Sequence, residues 1–310
     1  MKKLLLAVLF LALLILIPSA SFAVTSWYAQ NSSVNINSAS EWNDNPAGGG
    51  NVLTWGNQVA GDTFYANGKT AIAVNVDPGA NGKVTLTTAA GGGTTGGGFT
   101  YATATNITIN SDITAGTTTC LAVTGSTGGL TVIGNIQGGA VSTTALSTTH
   151  TSVTLNIGSV GTPTTITGGT SATGYGVNSL SAGPIAIIGN VLAATGSGLN
   201  NYTGTTTITG NCVGTTTSAP AVSAGNTTGS VTIVGNLING TKGSAASGSI
   251  IYNPGPLNYI QYPAPAATTI YLPKAPAVTD VKSGVQYGYD GANPLTGTYG
   301  GGGGGGAWGF

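Results

Sequence analysis

The sequence predicts an all-β chain: a single right-handed parallel β-helix, or β-solenoid, with an N-terminal cap and a small C-terminal appendage. Three observations predict it. One phrase recurs, as LTVIGNIQGG at 130–139, IAIIGNVLAA at 185–194, TTITGNCVGT at 206–215 and VTIVGNLING at 231–240. Apolar residues inside each phrase alternate with period two, which is the period of a half-buried strand. Helix signals are missing: there is no 3.6-residue period, and 53 of the 310 residues are glycine.

The first element is a leader. Lys2 and Lys3 precede an apolar run from Leu4 to Ile17, Pro18 breaks it, and Ser21-Phe22-Ala23 places small residues at a cleavage site. Residues 1–23 read as a secretory signal peptide. The run is short for a membrane anchor, and no later segment has the length or apolarity of a transmembrane helix. The expected location is secreted or cell-surface.

Residues 24–83 read as an N-terminal capping segment with the first strands. Trp27, Trp42 and Trp55, three of the four tryptophans, lie here with Phe64 and Tyr65. Aromatic bulk suits the closure of an open strand stack, which otherwise invites pairing with other chains.

Residues 84–262 read as the helix proper. The apolar bursts begin at Val84, Ile107, Leu130, Val153, Ile185, Thr206 and Val231, with a weaker copy at Leu257. Their spacing is that of a repeat architecture, and the eight starts suggest about eight coils. The one long step carries an extra TPTTITGG, residues 162–169, read as a loop insertion. A second burst lies about midway in most copies: Leu121-Ala122-Val123, Tyr175-Gly176-Val177, Ala221-Val222 and Ile250-Ile251. Gly-Asn pairs at 134–135, 189–190, 210–211 and 235–236 read as corners. The aligned Asn135, Asn190, Asn211 and Asn236 are expected to form an internal amide ladder.

Residues 263–279 read as a Pro-rich terminator and linker, because six of thirteen prolines fall between Pro254 and Pro276 and proline cannot donate to a ladder. Residues 280–299 form the C-terminal appendage, and residues 300–310 a Gly-rich flexible tail ending in Ala307-Trp308-Gly309-Phe310.

Charge narrows the function. The chain has seven Lys, no Arg and seven acids; without residues 1–23 it keeps five Lys and a formal charge of −2. Nucleic acid is excluded as a partner, since counterion displacement needs many cations. Between Ile113 and Thr279 there is no Asp or Glu, and His150 is the sole histidine. The coils therefore offer neither paired carboxylates nor a Ser-His-Asp arrangement. Asp44, Asp62 and Asp77 of the N-terminal segment are the acids that could meet. No catalytic, metal or cofactor residue is assigned, and the chain is expected not to be an enzyme. GNLINGTK at 235–242 lacks the Gly-Lys-Thr order and the following helix of a phosphate loop. GGGTTGGG at 91–98 reads as a floppy loop. Cys120 and Cys212 lie about four coils apart, roughly 19 Å at the strand spacing, so both are expected to be free thiols.

The candidate binding surface is an outward file of threonines: Thr85, Thr108, Thr131, Thr154, Thr207 and Thr232, interrupted by Ala186. Tyr287, Tyr289, Tyr299 and Trp308 of the C-terminal segment are the other candidates, because seven of twelve tyrosines lie between Tyr252 and Tyr299 and exposed aromatics suit sugar or protein contacts.

The segment Gly61-Asp62-Thr63-Phe64-Tyr65-Ala66-Asn67-Gly68, the repeated TITGN phrase, and the closing Asp280-Val281-Lys282-Ser283-Gly284-Val285-Gln286-Tyr287-Gly288 with Leu295-Thr296-Gly297-Thr298 carry a resemblance. Over roughly residues 50–299 the chain resembles bacterial and phage parallel β-helix repeat proteins, a group with surface-displayed and tail-fibre-like members. The resemblance implies a structural, adhesin-like or host-attachment role; the signal peptide favours a secreted or surface protein over a virion part. The function expected is a non-enzymatic extracellular structural or adhesive module with a glycan or cell-surface partner. The alternatives are a polysaccharide-degrading β-helix enzyme and an ice-binding β-solenoid using the threonine file. A homotrimer is compatible with a low-charge rod of flat faces.

Overall fold

The computed structural model describes residues 23–125, 127–140, 143–171, 173–180, 183–214 and 221–224, the strand segments between 230 and 271, and two strands within 286–296. Residues 1–22 of the expected signal peptide, most of the Pro-rich segment and the tail lie outside them. No described helix is long and apolar enough to cross a membrane.

The chain is an all-β parallel solenoid. Each coil contributes a strand to three stacked faces, here named by a buried residue. The Ile109 face stacks Ile107–Ile109, Gly129–Val132, Thr154–Ile157, Ile185–Leu192, Thr205–Thr209 and Ser230–Val234, all parallel. The Ile113 face begins earlier, with Ser26–Ala29, Thr63–Tyr65, Val84–Thr87 and Ser111–Thr114. It continues through Ile136–Gln137, Thr164–Thr167, the second half of Ile185–Leu192, and Cys212–Val213. The Leu121 face is a separate eight-stranded sheet running from Ile72–Ala73 and Phe99–Tyr101 to Val222–Ala224 and Thr241–Gly243. A two-stranded antiparallel pair, Gln286–Asp290 with Asn293–Thr296, lies in the C-terminal appendage.

The core follows from register. Ile109, Val132, Ile157, Ile187, Ile208 and Ile233 align rung to rung, and all are buried. Leu121, Leu146, Val177, Leu199 and Val222 do the same on the third face. A single coil could not cover these side chains; stacking at about 4.8 Å removes each from water using its neighbours above and below. Full burial of each stabilises by roughly 1.5–3 kcal/mol relative to exposure.

The solenoid makes about six turns, slightly fewer than the eight expected, although the Leu121 sheet itself stacks eight strands. Two of the eight expected starts are not found on the Ile109 face among the described residues. Val84 lies opposite Ser111 on the Ile113 face, one face away from Ile107, and Leu257 falls outside the described residues. The fourth start also shifts: Leu155, not Val153, stacks on Leu130. Both are buried, and a period-two pattern does not distinguish a slip of two residues. Ile250–Tyr252 likewise belongs to the Ile109 face, paired with Ser230–Val234, not to the midway burst. Of the supposed insertion, Thr164–Thr167 is a rung strand, with Ile166 between Ile136 and Val191. The extra residues are those of a short excursion at 158–163, closed by reciprocal backbone hydrogen bonds between Ser159 and Thr162.

The N-terminal end is closed by aromatics. Trp42 packs edge-on against Phe64 at 4.9 Å and parallel to Phe99 at 6.3 Å between ring centroids, and its indole N–H donates to the Ile36 carbonyl. The terminal strand Ser26–Ala29 pairs antiparallel with Trp42–Asn43, so its outer edge is occupied by the chain's own reversal. The glycine run at 91–98 is pinned, a correction to the floppy-loop reading. Asn67 accepts from the Thr94 N–H, Gly96 donates to Thr88 O, and Gly91 lies against the Tyr65 ring.

Candidate functional site

Register sorts the threonines. Thr108, Thr131, Thr207 and Thr232 share one outward file on the Ile109 face, with Asn156 and Ala186 between Thr131 and Thr207. Thr85 is on the Ile113 face, opposite Thr63 and Asp112. Thr154 lies opposite Gly129, one place before the file. Both displacements repeat the misalignment of Val84 and Val153. The surviving file is four threonines broken by an amide and a methyl, so it lacks an unbroken hydroxyl array. Tyr287 and Tyr289 lie in the strand Gln286–Asp290, with Tyr287 opposite Leu295. Tyr299 and Trp308 fall outside the described residues.

A second outer file runs along the Ile113 face: Asp112, Asn135, Thr165, Asn190 and Asn211. Here the expected internal amide ladder is corrected. Asn135, Asn190 and Asn211 are exposed, because the residue before each inward-facing Ile136, Val191 or Cys212 must point out. Asn236 falls outside the described residues. The file's side-chain oxygens accept from the backbone of the next rung. The Asn135 N–H donates to Asp112 Oδ1 at 2.6 Å, Thr165 N–H to Asn135 Oδ1 at 3.0 Å, and Asn211 N–H to Asn190 Oδ1 at 3.1 Å.

Sequence reasoning missed a third file. On the Leu121 face, Asn178 lies opposite Asn200, and Asn200 Nδ2 donates to Asn178 Oδ1 at 2.7 Å. Aligning Val177-Asn178-Ser179 with Leu199-Asn200-Asn201 would have found it; the midway bursts were too short to fix that alignment. The neighbouring inward Thr206 has its hydroxyl hydrogen-bonded to Asn201 Oδ1 at 2.9 Å, which makes a polar residue tolerable in the core file.

The acids of the N-terminal segment are each occupied. Asp62, buried, accepts from the Thr25 N–H, the Trp27 indole N–H and the Val59 N–H at 2.8–3.0 Å. Glu41, also buried, accepts from the backbone N–H groups of Gln30 and Asn31. Asp44 holds Asn51 through two bonds of 2.7 Å, and Asp77 holds the Gly79 and Asn110 N–H groups at 2.8 Å. Asp112 forms an ion pair with Lys83 at 2.6 Å, partly exposed and of small energetic weight. Among the described residues no three His, Cys, Asp or Glu side chains gather as a metal site.

Cys120 and Cys212 are buried and free. Burial pushes both thiols well above their ordinary range, which suppresses the reactive thiolate. Cys212 occupies the inward position between Val191 and Leu237. Thr241–Gly243 is a rung strand beside Val222–Ala224, not the start of a helix after a phosphate loop.

These observations define a class: a parallel β-solenoid whose described outer surface is built from hydroxyl and amide files at the rung spacing. Compared with family models, curated proteins and solved structures, the chain finds no match in any of the three.

Proposed function

We propose that the protein is a non-enzymatic extracellular structural or adhesive β-solenoid, exported by its signal peptide, that binds a glycan or cell surface through its hydroxyl- and amide-bearing outer files. The observation that carries this reading is how the acids are used. The five carboxylates between Glu41 and Asp112 are each engaged with backbone N–H groups, and the sequence from Ile113 to Gly240 carries none. A carboxylate held by fixed backbone donors is poorly placed to move protons, whereas rows of hydroxyls and amides present evenly spaced donors and acceptors suited to neutral polyols.

Glycan-array binding of the full chain, against a chain ending at Thr279, tests it. Retained binding by the shorter chain assigns recognition to the coils, and loss assigns it to the appendage. Binding by neither chain, or release of products from pectin or alginate, overturns the reading.

A further inference from the structure

Asp62 is a buried acid met only by neutral groups. It is 1% exposed, and among the described residues the only ion pair joins Lys83 to Asp112. Its donors are the Thr25 N–H on Oδ1 at 2.8 Å, and the Trp27 indole and Val59 N–H groups on Oδ2 at 3.0 Å each. An ionised carboxylate offers about four acceptor positions. Oδ2 carries two donors and Oδ1 one, so the position left over is on the oxygen that faces Thr25. A buried charge held by neutral donors alone is costly, and a nearby cation relieves it.

The chain itself can supply that cation. Residues 1–23 read as a leader, and a cut after Ala23 leaves Val24 as the first residue. Two contacts hold this end of the chain beside Asp62. The Thr63 N–H donates to Thr25 O at 3.0 Å, which continues the parallel pairing of Ser26–Ala29 with Thr63–Tyr65. The Val24 side chain lies over Gly61, where an added Cβ would meet Val24 Cγ2 at 2.9 Å. Consecutive backbone nitrogens are at most about 3.6 Å apart. Added to the 2.8 Å bond of Thr25, this places the Val24 nitrogen within about 6.5 Å of Asp62 Oδ1. Before the cut that nitrogen is a neutral amide. The Thr25 hydroxyl donates to the Ala23 carbonyl at 3.0 Å in an exposed position, a bond that the cut releases.

We propose that the α-ammonium group of Val24, created when the leader is removed, is the counter-ion of Asp62, and that processing thereby locks the N-terminal rung of the solenoid. Hydrolysis breaks the Ala23–Val24 amide bond. The oxygen of water goes to the Ala23 carbonyl carbon, which departs as a carboxylate, and the two protons of water go to the Val24 nitrogen, which becomes an ammonium. The step needs only water and the peptidase that removes leaders. Val24 is 63% exposed, so the amine approaches Oδ1 from the wet side, keeps part of its hydration and forms a pair of modest strength.

The other charged and titratable groups at this end are engaged elsewhere. Tyr28 and Tyr65 stack on each other, two positions past the Ser26–Thr63 pair. Lys69 lies on the turn beyond Tyr65, its backbone bonded to Ala66 and Gly98. Lys83, whose carbonyl accepts the Gly61 N–H, has its ammonium on Asp112. Glu41 accepts from Gln30 and Asn31 at the far end of Ser26–Ala29. Asp44 holds Asn51, and Asp77 the Gly79 and Asn110 N–H groups. Pairing with Asp62 raises the affinity of the Val24 amine for its proton above that of a free α-amino group, about 7.7–8.0. The stabilisation is therefore full below about pH 7.7 and is lost as pH rises through the raised value.

Two chains running from Val24 to Phe310 test it, one with a free and one with an acetylated amine. At pH 7 the free-amine chain should melt about 2–4 °C higher, and the gap should close between about pH 8 and pH 10. Asp62→Asn should abolish the gap. The native amine, followed through the Cα carbon shift of labelled Val24, should titrate above about 8.0 and return to the ordinary value in guanidinium. Equal melting of the two chains, a gap unchanged by pH, or a native midpoint at or below about 8.0 overturns the pairing. Should Asp62→Asn fail to fold, the native midpoint decides alone. The proposal rests on the export reading above, and the two fail separately. An exported chain whose first residue is not Val24 overturns the cleavage site and the proposal with it. A chain that begins at Val24 and melts like its acetylated form overturns the pairing alone.

Discussion

Asn190 caps the backbone of Asn211: its side-chain oxygen accepts the Asn211 N–H at 3.1 Å, one rung further on. The same relationship links Asn135 to Thr165 and Asp112 to Asn135. Successive coils are thus tied at one corner by side chain to backbone, outside the regular ladder and without a charge pair at most steps. Replacing Asn135 by Ala removes the acceptor for the Thr165 N–H. Water can take its place at this exposed site, so the cost is about 0.5–1.5 kcal/mol, read as a lower midpoint in urea with an unchanged slope. A loss above ~3 kcal/mol would show that the bond does more than join two rungs.

Asp62 organises the cap by collecting the N–H groups of Thr25, Val59 and the Trp27 indole. Asp62→Ala leaves three donors unmet in a largely dry site and should cost about 3 kcal/mol or more. Trp27 fluorescence should change with it. Asp62→Asn keeps shape but offers one acceptor oxygen and a donor, and should recover part of the loss. If Asp62→Ala melts with the wild type, the carboxylate is not the organiser of the N-terminal end.

The solenoid was legible because burial has a period: Ile109, Val132 and Ile113 announce which side of each strand is dry, whatever the register. Register itself was not legible at Val153 and Val84. Shifting the Val153 strand by two residues, or moving the Val84 strand to the adjoining face, keeps every apolar side chain facing inward, and only pairing with the neighbouring coil decides between the choices. That ambiguity moved Thr85 and Thr154 off the expected file. The asparagines were misplaced for a different reason. Their recurrence suggested an interior stack, but their parity against Ile136 and Val191 already required them outside. The Asn178–Asn200 pair was hidden because three-residue strands carry too little pattern to align.

Cys120 and Cys212 supply a test of how tightly the rungs close. Both thiols are buried and shifted upward by desolvation. A native sample at pH 8 should give almost no reaction with a thiol reagent such as dithionitrobenzoate, and two equivalents after guanidinium unfolding, in keeping with the two cysteines of the sequence. Cys212→Val, near in volume and matching its neighbours Val191 and Leu237, should change stability by less than about 1.5 kcal/mol. Rapid native labelling would mean that coils part on the timescale of the assay.

Gly210 tests the corner geometry directly. Its φ is +152°, and Gly189, its counterpart one coil earlier, has +149°, a region that L side chains rarely adopt. The space is closed as well: a Cβ on Gly210 would overlap the carbonyl oxygen of Gly189, and a Cβ on Gly189 would overlap that of Thr164. Those carbonyls belong to the neighbouring rung, so relief requires coils to separate. Gly210→Ala therefore combines backbone strain with a clash against main chain, and should cost at least about 2–4 kcal/mol. Gly161, at the tip of the 158–163 excursion, has nothing within 4 Å of an added Cβ. Gly161→Ala should stay within about 0.5 kcal/mol of the wild type. Thermal melts of the two variants, followed by the β-sheet circular dichroism signal, separate these outcomes. Equal melting would mean that the Gly-Asn corner is not held as tightly as the rung spacing requires.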